Sequence, residues 1–175
     1  MFRSVLFLQY AIILAISFVS GVVCFQFFPL DKSMQLIGYI DPRILELTDI
    51  SKLGTIIPLV AWMVLVLFFA THSYLHVLAK FVVAVKITFF GFSSVFLLTQ
   101  QESLLVYSVW WFPFQLVYCF LLFVLCSVYS AKKVGPQKKY FFSQRLFVTV
   151  LVALSVICAG EIAAISYVLP RFQLH

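Results

Sequence analysis

The sequence predicts an all-α, polytopic transmembrane bundle of about five spanning helices, with short interfacial helices in the first extracytoplasmic loop. The first observation behind this prediction is composition. Of the 175 residues, 64% are hydrophobic and only 10% are charged, against about 45–50% and about 25% in soluble domains. A chain of 20.0 kDa has too little interior to bury so much apolar surface. Soluble enzymes, DNA-binding domains and secreted disulfide modules are therefore excluded.

The second observation is the presence of continuous apolar runs. A helix needs roughly 20 apolar residues to cross a hydrocarbon core of ~30 Å, and uninterrupted runs favour helices over the alternating pattern of a barrel. We expect one integral membrane domain over residues 1–175, with spans at about 5–28, 53–70, 77–98, 104–130 and 146–169.

The longest connection, residues 29–52, has an amphipathic pattern. Asp41-Pro42 divides it, because proline disfavours helix at the preceding residue. We expect a short interfacial helix on each side of this dipeptide. Ile44, Leu45 and Leu47 would then offer an apolar surface to a partner, or would rest on the outer leaflet as amphipathic helices do.

The fourth connection, residues 131–144, is a basic loop. It contains Lys132, Lys133, Lys138 and Lys139, and Arg145 follows it. Together with Arg3, Lys80 and Lys86, these residues give one side eight of the 12 basic residues and leave four for the other. The lysine and arginine bias predicts a cytoplasmic N-terminus and an outward C-terminus. The net charge of +6 indicates contact with anionic lipid headgroups, since no nucleic-acid-binding motif is present.

Polar residues within the spans are the candidate functional residues. Lys86 and Glu161 are each costly in lipid, by about 2.5–3.5 kcal/mol on insertion scales, so we expect both to face other helices. They could pair with one another, although their nominal depths differ by roughly 9 Å. The alternatives are a snorkelling Lys86 and a Glu161 that fixes helix packing. Pro113 predicts a helix kink, and Gln115 beside it predicts a packing node or a substrate dent.

The residues that catalysis or cofactor binding would need are missing from the sequence. Gly91-Phe92-Ser93-Ser94-Val95 lacks the second glycine of a serine elbow, and no paired aspartates, nucleotide loop or dinucleotide fingerprint occurs. His72 and His76 have metal-ligand spacing but no third ligand nearby. All four cysteines lie in apolar runs, as small buried hydrophobes do. We therefore expect no catalytic residue, metal site or cofactor.

Three ordered stretches mark the last three predicted spans. They are Lys86 with Gly91-Phe92, Pro113 and Gln115 with Ser127 and Ser130, and Glu161 and Ala163 with Tyr167 and the Pro170 that follows the span. In these stretches residues 86–171 resemble the stage II sporulation protein M family, five-helix bacterial membrane proteins that include relatives in bacteriocin and ABC-transporter clusters.

The resemblance implies a non-enzymatic scaffold or partner-binding subunit in a bacterial cytoplasmic membrane. Family members organise cell-envelope remodelling together with extracytoplasmic peptidoglycan-remodelling proteins. Relatives in bacteriocin clusters suggest an alternative, the membrane subunit of an ABC-type export or maturation system that engages an ATPase. A further alternative is the substrate-binding membrane subunit of a vitamin importer, although those proteins usually have six spans.

Overall fold

The chain is a multi-pass membrane protein with an all-α bundle. The computed structural model describes residues 2–45, 52–72, 74–100, 104, 107–134 and 137–168. Within them, five helices are long and apolar enough to cross a membrane. These candidate spans are Leu8–Phe27, Gly54–Thr71, Val77–Thr99, Tyr107–Cys126 and Gln144–Tyr167. The predicted fold class and number of spans are confirmed.

Six α-helices and one β-hairpin make up the described chain. The helices are α1 (Phe2–Phe27), α2 (Leu30–Ile40), α3 (Lys52–Thr71), α4 (His76–Gln100), α5 (Phe112–Cys126) and α6 (Gln144–Ala163). A 3₁₀ turn at Pro42–Ile44 follows α2, and π-helical turns at Tyr107–Trp111 and Ala164–Val168 precede α5 and follow α6. The hairpin strands are β1 (Tyr129–Val134) and β2 (Gln137–Phe142).

Helix α4 lies at the centre of the bundle. Two thirds of its span, 67%, is buried, more than in any other span, and it packs against α1, α3 and α5. Its buried hydroxyls are satisfied within the helix, since Ser93 and Ser94 donate to the carbonyls of Phe89 and Phe90 at 2.7 Å. Small residues with satisfied hydroxyls let neighbouring helices approach closely in a membrane.

The contact between α1 and α4 depends on two glycines. A Cβ added to Gly21 would lie 1.9 Å from the carbonyl oxygen of Thr88, and one added to Gly91 would lie 2.1 Å from that of Phe18. Both obstacles are backbone atoms, which cannot rotate away. Phe25 packs edge-on against Phe92 one to two turns further along, with ring centroids 5.1 Å apart.

Pro113 lies in the first turn of α5, where the fourth span departs from regular α-helical geometry. The proline ring displaces the carbonyl one turn earlier and provides no N–H to the helix. The preceding turn, Tyr107–Trp111, accordingly has π-helical geometry, the form that an α-helix takes when one residue is accommodated out of register. A second proline, Pro58, lies inside α3.

The predicted basic loop over residues 131–144 is instead mostly an antiparallel hairpin. Its register places Lys132 opposite Lys139 and Lys133 opposite Lys138. The rings of Tyr129 and Phe142 meet at its base with centroids 5.1 Å apart. Aromatic cross-strand pairs stabilise a hairpin. Since β1 begins at Tyr129, the fourth span ends at Cys126 and not near residue 130. Arg145 is exposed in the first turn of α6.

The segment between α1 and α3 packs inward onto the bundle. Its helix α2 and 3₁₀ turn lie on either side of Asp41, where the sequence predicts a break, but Ile37 and Ile44 are both fully buried. Ile44 is therefore not the exposed contact residue that the sequence predicts, because the 3₁₀ turn directs it into the core. Leu45 is half-buried, and Leu47 lies outside the described residues.

Candidate functional site

A buried salt bridge joins Arg43 of the 3₁₀ turn to Asp41, the residue that precedes this turn. Arg43 donates from Nε to Oδ1 of Asp41 and from Nη2 to Oδ2, both at 2.6 Å. Asp41 is fully buried and Arg43 is 5% exposed. Two parallel N–H···O bonds are the geometry in which a guanidinium binds a carboxylate most specifically. The pair fixes the direction in which the Arg43 side chain leaves the turn.

The same guanidinium reaches a second carboxylate on α6. Arg43 Nη1 donates to Oε1 of Glu161 at 3.0 Å. Trp110 Nε1 donates to that same oxygen at 3.2 Å, and the Tyr118 hydroxyl donates to Oε2 at 2.6 Å. Glu161 thus accepts three hydrogen bonds, from the 3₁₀ turn, the π-helical turn and α5. We call Asp41, Arg43, Trp110, Tyr118 and Glu161 the buried charge cluster.

The π-helical turn helps to position this cluster. Trp110 lies within that turn and Tyr118 lies two turns into α5, and both donate to the two oxygens of Glu161. A π-helical turn changes the angular position, about the helix axis, of the side chains before it relative to those after it. The distortion that Pro113 imposes therefore contributes to the alignment of two donors on one carboxylate.

Arg43 carries its charge permanently in this setting. Burial opposes the charged form, but the hydrogen bonds that Arg43 donates to Asp41 and the negative charges of Asp41 and Glu161 outweigh it and raise the pKa of Arg43 above its ordinary value. One cation therefore contacts two carboxylates, each of which would be costly to bury alone. Removing Arg43 would leave both without a cation.

Lys86 is the second buried cation, 4% exposed on α4. Its ammonium lies 5.7 Å from the ring centroid of Trp62 and 5.6 Å from that of Phe89, within the range of cation–π attraction. No carboxylate lies within 4.0 Å of it among the residues that the structure describes. The direct Lys86–Glu161 pair that the sequence allowed is absent there, because Arg43 occupies Glu161. Both residues do face other helices, as predicted.

A small polar cavity lies between Lys86 and the buried charge cluster. Its volume is about 10 Å³. Its lining comes from the 3₁₀ turn, α3, α4 and α5, and consists of Arg43, Pro58, Leu59, Trp62, Lys86, Gln115, Tyr118 and Leu122. Gln115 is 1% exposed, and its Oε1 has no hydrogen-bond partner among the described residues. Two of the polar span residues predicted from sequence, Lys86 and Gln115, thus meet here.

The described part of the chain contains no group of three or more histidine, cysteine or carboxylate side chains that could hold a metal ion. Comparison of the chain with family models, curated proteins and solved structures finds no match. The resemblance to the stage II sporulation protein M family therefore rests on the residues quoted from its last three spans.

Sequence reasoning missed four members of the cluster, Asp41, Arg43, Trp110 and Tyr118. A signal for Arg43 did exist. A lone carboxylate in a span needs a cation, and arginine suits a buried bidentate partner better than lysine. Asp41-Pro42-Arg43 lies between Ile40 and Ile44, an apolar setting that is unusual for two charges in a surface loop.

Proposed function

We propose that this protein is a non-enzymatic scaffold or partner-binding subunit of a membrane complex that remodels the cell envelope. The proposal includes the orientation predicted from the basic residues, with α2 on the outer side of a bacterial cytoplasmic membrane. The expected partners are extracytoplasmic peptidoglycan-remodelling proteins, as the resemblance implies.

The observation that carries the proposal is the anchoring of the α2 segment by the buried charge cluster. Arg43 connects this segment to Glu161, 118 residues away in the chain, through the 3.0 Å bond. Each carboxylate of the cluster is occupied by donors from the protein itself. Such occupied groups stabilise an arrangement of elements, whereas a general acid or base needs a reacting group within hydrogen-bond reach.

The anchored segment presents an exposed face on α2. This face consists of Asp31, Lys32, Met34, Gln35 and Tyr39, and Tyr39 is 89% exposed. An open dent of about 500 Å³ lies beside it, lined by Met34, Gln35, Gly38, Tyr39 and Leu45. A rigid, mixed apolar and polar face costs little conformational entropy when a partner binds, which supports a partner-binding role for this side.

Site-specific photocrosslinking in cells tests the proposal. A photoreactive phenylalanine analogue at Tyr39 should capture a discrete envelope protein, identified by mass spectrometry. The same analogue at Val64, which is 56% exposed on the candidate span of α3, is the matched control and should not capture that protein. Combining the Tyr39 probe with Glu161→Gln should lower the yield of the crosslinked adduct, because Arg43 then has no charged partner on α6.

Two results would contradict the scaffold function. One is a Tyr39 probe that captures no protein beyond those captured at Val64. The other is turnover or transport by the purified protein in lipid with no added partner, since a scaffold needs its partners.

The membrane subunit of an ABC-type exporter is the second candidate function. The convergence of Lys86 and Gln115 on one polar cavity favours it, because both would line a path. At about 10 Å³ the cavity admits one water and no peptide, so export would require the helices to separate. A photoreactive residue at Gln137 in the hairpin distinguishes the candidates, since an exporter subunit should capture an ATPase there.

A further inference from the structure

The cavity between Lys86 and the buried charge cluster has the properties of a site for a small hydrogen-bonding ligand. A buried ammonium needs acceptors and a buried amide oxygen needs a donor. Lys86 and Gln115 both line the cavity, and the Oε1 of Gln115 is unpartnered among the described residues. Leu59, Trp62 and Leu122 also line the cavity. Of these three side chains only Trp62 has a polar group, the indole N–H.

Size and charge determine which ligand fits. A volume of about 10 Å³ is close to the smallest that holds one water molecule, about 10–15 Å³ by the same kind of measure. A halide ion is larger than water. The formal charges of Arg43 and Lys86 already cancel those of Asp41 and Glu161, so a bound anion would leave the buried groups with a net negative charge, which is costly. A neutral ligand of one heavy atom satisfies both limits.

We propose that this cavity binds one ordered water molecule that joins Lys86 to the buried charge cluster. The ammonium of Lys86 donates to the water oxygen. The water donates to Oε1 of Gln115 and to the hydroxyl oxygen of Tyr118, whose own proton is donated to Glu161 at 2.6 Å. Three hydrogen bonds are the usual number for a buried water. The pairing of Lys86 with Glu161 is then indirect and passes through the water and Tyr118.

The direct test is a structure of the full-length protein in a lipid nanodisc at a resolution that shows ordered water. The expected result is one density peak within hydrogen-bonding distance of Lys86 Nζ, Gln115 Oε1 and Tyr118 Oη. A dry cavity would overturn the proposal, and so would a Lys86 ammonium in direct contact with Asp41 or Glu161. Crystals of the protein grown in bromide test the competing ligand, since an anomalous X-ray diffraction signal at the site would identify an anion.

A double-mutant cycle supplies a second test that does not depend on resolution. Lys86→Met and Gln115→Leu each remove one partner of the same water, so the fall in melting temperature of the double variant should be smaller than the sum of the two single falls. Thr55 is the matched control, because its hydroxyl is also buried and unpartnered among the described residues but lies outside the cavity lining. The falls in melting temperature caused by Lys86→Met and Thr55→Val should be additive in the double variant. An additive Lys86–Gln115 pair would contradict the bridge.

Discussion

Among the residues that the structure describes, Arg43 is the single cation in direct contact with the two carboxylates of the buried charge cluster, Asp41 and Glu161. Buried ion pairs add little net stability compared with apolar residues of the same volume, yet removing one partner is strongly destabilising. A shared cation makes this asymmetry larger, because its loss leaves two buried negative charges. Arg43 is therefore the residue on which the arrangement of the α2 segment depends most.

The first prediction concerns Arg43→Met, which keeps the volume of the side chain and removes the charge. It should lower the free energy of unfolding by about 3–5 kcal/mol or more. Glu161→Gln should lower the free energy of unfolding by less. Arg43 keeps its salt bridge to Asp41, and the amide oxygen of the new glutamine still accepts a hydrogen bond. Chemical denaturation in detergent measures both. Lys32→Met is the control, since Lys32 is exposed on α2 and its loss should be close to neutral.

A second prediction at this scale concerns Tyr118→Phe. The change removes the 2.6 Å donor to Glu161, and hydrogen bonds to charged groups contribute about 1.5–3 kcal/mol. The fall in the free energy of unfolding should therefore be smaller than that of Arg43→Met. If Tyr118→Phe proved as damaging as Arg43→Met, the hydroxyl and not the guanidinium would be the main partner of Glu161.

The need for a partner at Glu161 could be predicted from the sequence, but its identity could not. Insertion cost marks an ionisable residue in a span, and this criterion identifies both Lys86 and Glu161. A comparison of depths in the membrane considers only residues within spans, so it offers Lys86 as the partner of Glu161. Arg43 belongs to a connection, and its reach into the bundle follows from tertiary packing of Ile37 and Ile44.

At the scale of elements, the α1–α4 contact shows how a membrane bundle forms without strongly amphipathic helices. Lipid and helix interior are both apolar, so close packing replaces the hydrophobic drive of soluble proteins. Gly21 and Gly91 face backbone carbonyls of the opposite helix at distances that leave no room for a Cβ. The sequence contains both glycines, but their role in helix packing follows only from the point where the two helices cross.

The third prediction follows from that contact. Gly21→Ala should destabilise the protein by about 1–3 kcal/mol, the usual cost of overpacking, because the new Cβ meets the Thr88 carbonyl at 1.9 Å. Gly160→Ala is the matched control, since its Cβ would lie 3.7 Å from the Phe114 ring and should be tolerated. Thermal unfolding of both variants measures the difference. Equal melting temperatures would contradict the glycine-mediated approach.

The hairpin is the element least predictable from the sequence. Gly135-Pro136 indicates a turn, but two lysine pairs directly opposite one another are unfavourable in an isolated hairpin, and nothing local favours strands over a loop. The strands form where they leave two helices that already hold their ends close together. Ser143 closes the base by donating its N–H to the Val128 carbonyl at 2.8 Å.

The fourth prediction tests the register of this hairpin. In a background without native cysteines, cysteines at positions 132 and 139 should form an intramolecular disulfide on mild oxidation. The reason is that directly opposite residues have Cβ atoms about 4.5–5.5 Å apart, close to disulfide geometry. The out-of-register pair at 132 and 138 is the control and should react more slowly. Equal rates would indicate a loop with no fixed register.

At the scale of the whole molecule, the charges are distributed unevenly along the chain. No aspartate or glutamate occurs between Glu102 and Glu161, the part of the chain that contains the lysine-rich hairpin. Lysine and arginine, not net charge, decide orientation, so the four lysines of the hairpin, and not the missing acidic residues, favour its placement on the cytoplasmic side. The number of spans follows from hydropathy alone, whereas the anchoring of α2 requires contacts between residues distant in sequence.

The fifth prediction concerns that orientation. With the native cysteines removed, a cysteine at Gln137 should resist an impermeant thiol reagent in whole cells, and one at Gln35 should react. Permeabilised cells provide the control in which both react. The reverse pattern in whole cells would place α2 in the cytoplasm and exclude extracytoplasmic partners for its exposed face.

The central claim is that Arg43 anchors the α2 segment rigidly on the bundle. The most direct test is a distance distribution between spin labels at Gln35 on α2 and Val152 on α6, both exposed positions, in the cysteine-free protein in nanodiscs. The account predicts one narrow distribution with Arg43 present and a broad one with Arg43→Met. A distribution that is already broad with Arg43 present, or one that stays narrow after Arg43→Met, would contradict it.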